Sequence, residues 1–343
     1  MKTPDHMTRP ILRLSPKRAL LLLTLCLLSA CQGMVAPGDP LPSWREGPRK
    51  QAILDFVHAV TDTASSDYVE PADRIAVFDN DGTLWAEKPL YFQLIFILDR
   101  IRTLAPQHPE WKRTEPFRSA LAGDMAALGK QGEKGLMQLM VAAQSGMTTA
   151  EFRTIVVDWL DSAEHHRFDR HYTELIYQPM LEVLAWLRAN GFETWIVSGG
   201  GQEFMRPWAP DIYGIPSQQI IGSMMEVQLD QRDGKPVLVK IPKLHLIDDK
   251  EGKVIAIHRF IGKRPIAAFG NSDGDLAMLQ WTAAGKGRSL KTLIHHTDAT
   301  REWAYDRKSP VGRLDKAMDI AKTRHWVLVD MARDWKQVFS FQK

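Results

Sequence analysis

Four apolar residues, Ile75-Ala76-Val77-Phe78, run directly into Asp79-Asn80-Asp81-Gly82-Thr83. A short, unbroken apolar run is the pattern of a strand buried on both faces, and such strands occur almost only in parallel sheets covered by helices. The polar segment after it then stands at the strand's C-terminal end, where open α/β sheets bind their ligands. Two carboxylates two positions apart can face one ligand there, while Gly82 permits a tight turn beside them. This one segment therefore fixes both a layered α/β fold and the edge of the sheet at which chemistry is expected.

A calcium loop of the EF-hand type is the competing reading of the same acidic residues. Placing Gly82 at loop position 6 puts Val77 at position 1 and Lys88 at position 12, so both essential acidic ligands are missing. The preceding strand also contradicts a helix–loop–helix.

Two further apolar runs repeat the strand-then-turn pattern. Thr194-Trp195-Ile196-Val197 ends in Ser198-Gly199-Gly200-Gly201, and Pro265 to Phe269 ends in Gly270-Asn271-Ser272-Asp273-Gly274-Asp275. Leu293-Ile294 and Trp326 to Val329 are shorter candidates. Gln51 to Val60 has helical spacing, and Pro179 to Asn190 reads as a helix with Pro at its start and Gly191 at its C-terminal cap. From about Leu90 to Ile176 the chain reads as helical. Phe92, Ile95, Phe96 and Leu98 to Ile101 suit one helix, Leu136, Leu139 and Met140 another, and Thr148 with Glu151 a capping box before a third. Alternation around 220–245 with Asp233-Gly234 predicts a β-hairpin. The expected architecture is a doubly wound, Rossmann-like parallel sheet with an inserted helical cap. The core takes residues 51–87 and 179–343, and the cap residues 88–178.

The N-terminus is read apart from this fold. Lys2, Arg9, Arg13, Lys17 and Arg18 stand against Asp5 alone, and an apolar stretch follows from Ala19 to Leu28. Ten helical residues span about 15 Å, half a bilayer core, which is the length of a signal-peptide apolar region rather than a membrane span. Leu28-Ser29-Ala30-Cys31 resembles the lipobox of bacterial lipoproteins, which implies a signal peptide at 1–30, a lipid on Cys31 and a Pro/Gly-rich tether over 31–50. An ordinary cleaved secretory signal is the alternative. Gln32 is not the aspartate that retains lipoproteins in the inner membrane, so the expected location is the cell envelope, at the periplasmic face of an outer membrane. Cys26 and Cys31 are the only cysteines, so the rest of the chain has no thiol for catalysis, metal or disulfide. The formal charge of +3 also sits in this segment, which holds five basic residues and one acid. The remainder is near neutral, and no nucleic-acid partner is expected.

Asp79-x-Asp81-Gly82-Thr83, Ser198-Gly199-Gly200, a lysine at 253, and Gly270-x-Ser272-x-x-Asp275 occur in this order on alternating strands and helices. The set resembles the haloacid dehalogenase superfamily over roughly residues 50–300, closest to its phosphoserine-phosphatase-like branch, in which a helical cap follows the first motif. The resemblance implies a magnesium-dependent phosphatase acting on a small phosphomonoester. Asp79 is then the nucleophile and Asp81 the general acid and base. Ser198, Gly199 and Lys253 hold the phosphoryl group, and Asp79, Asp81, Asn271 and Asp275 hold Mg2+. An aspartate at position 81 suits phosphomonoester chemistry and argues against the superfamily's dehalogenases and ion pumps.

The family's fourth motif usually begins Gly-Asp, whereas here it is Gly270-Asn271. Losing one negative ligand weakens metal binding by about 1–2 kcal/mol, and Asp273 is expected to compensate through a water. Glu87, at the cap entrance, is expected to contact substrate. His295, His296 and Asp298 read as a structural cluster at a strand end, and Arg301 and Arg307 as solvated charges. Two rival functions stay open at this level. One is a phosphotransferase to an alcohol acceptor, and the other a non-catalytic lipoprotein that binds a phosphorylated ligand.

Overall fold

The computed structural model describes residues 38–342. The expected signal segment, Cys26 and Cys31 lie outside the described residues. From Leu41 onward the chain forms one compact unit.

The strands in chain order are β1 (Ile75–Phe78), β2 (Glu164–His165), β3 (Arg170–His171), β4 (Glu193–Gly201), β5 (Ile220–Arg232), β6 (Lys235–Leu246), β7 (Ala267–Gly270), β8 (Leu290–His295) and β9 (Val327–Asp330). Seven form one sheet in the order β6-β5-β4-β1-β7-β8-β9. Neighbours run parallel except β5 and β6, which are antiparallel. The doubly wound parallel core is thus as expected. From β1 the chain builds outward on one side through β4, β5 and β6, then crosses back to place β7, β8 and β9 on the other. The C-terminal end of β1 is therefore the point where the winding reverses, and a crevice opens there.

β1 is buried at all four positions, and its alternation feeds two cores. Ala76 and Phe78 join the larger one, with the helix Pro48–Thr61, the helix Gln178–Ala189 and the inserted cap. Ile75 and Val77 join the other, beneath the helices Glu251–Ala256, Leu276–Ala283 and Lys316–Thr323. Apolar cover on both faces is why the run carries no polar residue. The Phe78 ring stacks on Phe269 of β7, centroids 4.4 Å apart.

The hairpin β5–β6 turns at Asp233 (φ 51°) and Gly234 (φ 72°), the paired left-handed conformations of a two-residue I′ turn. The cap comprises the helices Phe92–Leu104, Phe117–Ala122, Met125–Lys130, Gly132–Gln144 and Thr149–Ser162, closed by the small β2–β3 pair. Thr148 caps the last helix, its hydroxyl accepting from the Glu151 N–H at 3.1 Å while Glu151 accepts from the Thr148 N–H at 2.6 Å. Among the described residues no helix is long and apolar enough to cross a membrane.

One boundary differs from expectation. The Pro/Gly-rich segment read as a tether to residue 50 is built into the fold from Leu41. Leu41 and Trp44 are fully buried, and the Trp44 indole donates to the Pro179 carbonyl at 3.0 Å and meets Trp335 edge-on. Two large apolar side chains outweigh the turn-forming composition around them.

Candidate active site

Asp79 leaves β1 at the centre of the sheet, its N–H still donating to the Phe269 carbonyl of β7 at 2.9 Å. The next residues wind into a tight loop in which the Asn80 carbonyl accepts from the N–H groups of Thr83 and Leu84, at 3.1 and 2.8 Å. Gly82 takes φ +74°, and a Cβ there would collide with the Asn271 amide, so glycine is required twice over. The loop is clamped from outside. Tyr213 donates its hydroxyl to Asn80 Oδ1 at 2.9 Å, and His296 Nε2 donates to the Gly82 carbonyl at 2.8 Å.

Lys253 is the hub of the site. It is buried, and its ammonium donates to Asp79 Oδ1 and Asp275 Oδ1, both at 2.6 Å, and to the Val197 carbonyl at 2.9 Å. Those bonds use all three of its donors. Burial alone would lower its pKa, but Asp275 and Asp79 beside it hold it above the ordinary lysine value. Asp79 is pushed up by burial and by Asp275, while Lys253 pulls it back. Asp81 is pushed up to about 6 by burial, although the Trp85 indole donates to its Oδ1 at 2.8 Å.

Asp275 is fixed from below, its Oδ2 accepting from the N–H groups of Asn271 and Ser272 at 3.0 Å each. Gly199 and Gly200 close the other side, where β4 slips register against β5 between Ser198 and Gly201. Ser198 is fully buried, and its hydroxyl accepts from the Gly200 N–H at 3.1 Å. The cap is tied to this turn by Gln93, whose Oε1 accepts from the Gly201 N–H at 2.6 Å.

The structure thus brings together Asp79, Asp81, Ser198, Gly199, Lys253, Asn271 and Asp275 at one sheet edge. Other expectations fall elsewhere. Glu87 does not face the cavity as a substrate contact. It is 1% exposed and lies behind Asn271, accepting at Oε1 from Asn271 Nδ2 and from the Tyr305 hydroxyl, both at 2.7 Å. Gly312 packs against that carboxylate with no room for a Cβ. Burial pushes Glu87 well above the usual carboxylate range. Asp273 does not line the cavity, and its Oδ1 accepts from the N–H groups of Asp315 and Ala317 at 3.0 and 2.9 Å. Arg301 is spent on Asp298 and on carbonyls near the C-terminus, and Arg307 on Asp315 and Asp319. His295 lies 3.5 Å from Asp306, and His296 grips the Asp79–Thr83 loop from behind.

Among the described residues no three His, Cys, Asp or Glu side chains converge as a ready metal cage. The oxygen set at Asp79 is nevertheless the kind Mg2+ takes. Mg2+ binds through one or two carboxylates and substrate phosphate and keeps several waters. Lys253 is a single cation shared by two buried carboxylates, with Asp81 beside them, so a further positive charge would relieve their repulsion. Because Glu87 accepts from its Nδ2, the Asn271 amide has its orientation set, and Oδ1 meets only a long 3.3 Å contact from Thr83.

A cavity of about 280 Å³ opens over Asp79, Asp81, Gly199, Gly200, Lys253 and Asp275. Its far wall comes from the cap. A buried carboxylate, a protonatable neighbour, a fixed ammonium and a glycine turn at one point can hold and transfer an oxyanion group.

A family model described as haloacid dehalogenase-like hydrolase matches residues 76–280. No curated protein matches in sequence. Several solved structures are similar. A conserved functionally unknown protein from Anaerococcus prevotii aligns over 73% of this chain and 86% of its own at 16% identity, with a TM-score of 0.47. A protein of unknown function from Bordetella pertussis aligns over 75% and 98% at 15% identity, also at 0.47. A probable phosphoserine phosphatase from Vibrio cholerae aligns over 67% and 58% at 16% identity, with a TM-score of 0.38.

Proposed function

The chain belongs to the haloacid dehalogenase-like hydrolases, whose family model takes in more than half of it, and from that premise we propose that it is a phosphatase hydrolysing a small phosphomonoester through a phosphorylated Asp79. The observation that carries this reading is the Lys253 ammonium, which joins Asp79 and Asp275 in one buried cluster on the cavity floor.

The chemistry follows from the positions. Lys253 holds one oxygen of Asp79 and leaves the other for the cavity. That oxygen attacks phosphorus, the bond from phosphorus to the leaving alcohol breaks, and the alcohol takes its proton from Asp81. The rise of Asp81 to about 6 keeps that proton available near neutrality. In the second step the Asp81 carboxylate removes a proton from water, the oxygen attacks the same phosphorus, and the bond to Asp79 breaks. The positive charge of Lys253 and the Gly199 N–H stabilise the phosphoryl oxygens in both steps, and Ser198, which accepts from the Gly200 N–H, supports the turn. Bound Mg2+, held by Asp79, Asp275, the Asp81 carbonyl and Asn271 Oδ1, would neutralise phosphate charge.

Purified protein is expected to hydrolyse a chromogenic aryl phosphate with Mg2+, and Asp79→Asn to abolish this. A variant retaining the full rate would sink the assignment, and phosphate-ester binding without turnover would select a binding protein instead. Cell-envelope placement through a lipid on Cys31 is part of the proposal, resting on the lipobox-like residues before it. Metabolic labelling with an alkynyl fatty acid is expected to mark the protein and to miss Cys31→Ala; equal labelling of both would remove the anchor.

A further inference from the structure

The floor of the cavity is polar, and its roof is mainly apolar, with Gln93 and Glu133 the polar side chains that its two helices add. The helix Gly132–Gln144 turns Leu136, Met137 and Met140 to the cavity, Leu94 and Ile97 come from the helix Phe92–Leu104, and Ile247 from the loop after β6. Positions 136, 137 and 140 are one helical face, so this is a built surface rather than a chance contact. Around its mouth Tyr91, Leu136 and Ile247 are 38%, 39% and 40% exposed, three of the nine large apolar side chains that stand exposed among the described residues. Exposed apolar groups gathered at the rim of a site mark a surface that gains from being covered.

Charge narrows the ligand further. Lys253 is the only cation among the lining residues, and its donors are committed to Asp79, Asp275 and a carbonyl. The other charges on the wall, Glu133 and Asp249, are carboxylates. A substrate with a second anionic group would find no partner there and would meet like charge.

We infer that the substrate carries its phosphate on a small, apolar alcohol with no second anionic group, either alkyl or aryl. This rests on the phosphatase reading of the same cavity. About 280 Å³ is at the lower edge of the range for drug-sized ligands, so the alcohol is short.

The test compares n-alkyl phosphates from ethyl to octyl, phenyl phosphate and O-phosphoserine with the purified protein and Mg2+. The value of kcat/KM is expected to rise about threefold per methylene until the cavity fills, and phenyl phosphate is expected to outrun O-phosphoserine by roughly 50-fold or more. A flat series, or O-phosphoserine turned over as well as phenyl phosphate, overturns the inference and leaves the phosphatase reading standing. Absence of any turnover removes the phosphatase reading. Calorimetry with alkylphosphonates then still decides the wall, because affinity rising with chain length supports it and affinity independent of length overturns it. Leu136→Arg puts a cation at the exposed rim and is expected to lower the ratio of hexyl phosphate to O-phosphoserine turnover by about tenfold; an unchanged ratio counts against the wall.

Discussion

The floor and the roof of the cavity follow opposite rules. On the floor, Asp79, Asp275, Lys253 and Asn271 are buried and tied to one another by short, charge-assisted bonds, with their supports reaching down into β1, β4 and β7. On the roof, Leu136, Met137 and Met140 contribute shape and apolar area from a helix that touches the floor mainly through its neighbours. Groups fixed in depth hold the geometry that bond-making needs, while half-exposed apolar groups discriminate among bodies by area. Floor changes should therefore scale the rates of all esters together, and roof changes should re-order them.

The largest effect is expected at Asp79. Asp79→Asn should remove turnover of alkyl, aryl and amino-acid phosphates alike; an uneven loss across the series would break the division between floor and roof.

A smaller effect lies one layer behind. Glu87 supports Asn271 without reaching the cavity, so Glu87→Ala frees the amide and leaves the Tyr305 hydroxyl without its acceptor. Mg2+ affinity by calorimetry should fall about tenfold or more, the usual cost of losing a support behind a metal ligand, with substrate ranking unchanged. Glu87→Gln keeps an acceptor oxygen and should restore most of the affinity. Gln as weak as Ala would mean that the charge of Glu87 matters rather than its positioning.

The smallest effect on activity is expected at Asp248, which is fully buried. Burial pushes it up to about 7, although Lys253 pulls the other way. A carboxylate raised in the fold above its unfolded value near 3.8 holds more protons folded than unfolded between those two values, so it subtracts stability as pH rises through about 4 to 7. Asp248→Asn should stabilise the protein at pH 8 by on the order of 1–3 kcal/mol and flatten that slope. Thermal melts from pH 4.5 to 8 measure it, and equal slopes in both proteins would contradict it.

The same division marks what was legible in the sequence. The strand-end parts of the floor were, because each is local: an apolar run fixes a buried strand, and the residues after it must stand at the strand's end. The I′ turn at Asp233-Gly234 and the Thr148–Glu151 capping box were readable for the same reason. Lys253, on the helix Glu251–Ala256, was reached only through the family resemblance. Glu87 was misplaced because its partners Asn271, Tyr305 and Gly312 lie about 200 residues away, brought together only by the order of β1, β7 and β8. The roof was hidden differently. Leu136 and Leu139 read as one apolar helix face, yet Leu139 is fully buried while Leu136 is 39% exposed at the cavity. Spacing shows that a face is apolar, and cannot show whether a core or a ligand covers it. Likewise the prolines around Trp44 spoke for a loop, and only the packing on Trp335 reveals that it is anchored.

The central claim is that Asp79 becomes phosphorylated during turnover. The most direct measurement is to mix the protein with excess phenyl phosphate and Mg2+, quench in acid within the first turnover, digest, and map the phosphoryl group by mass spectrometry. A phosphoryl group on the peptide containing Asp79, labile to hydroxylamine and absent from Asp79→Asn, is the predicted result. Steady turnover with no phosphorylated peptide, or with the label on another residue, would contradict the account.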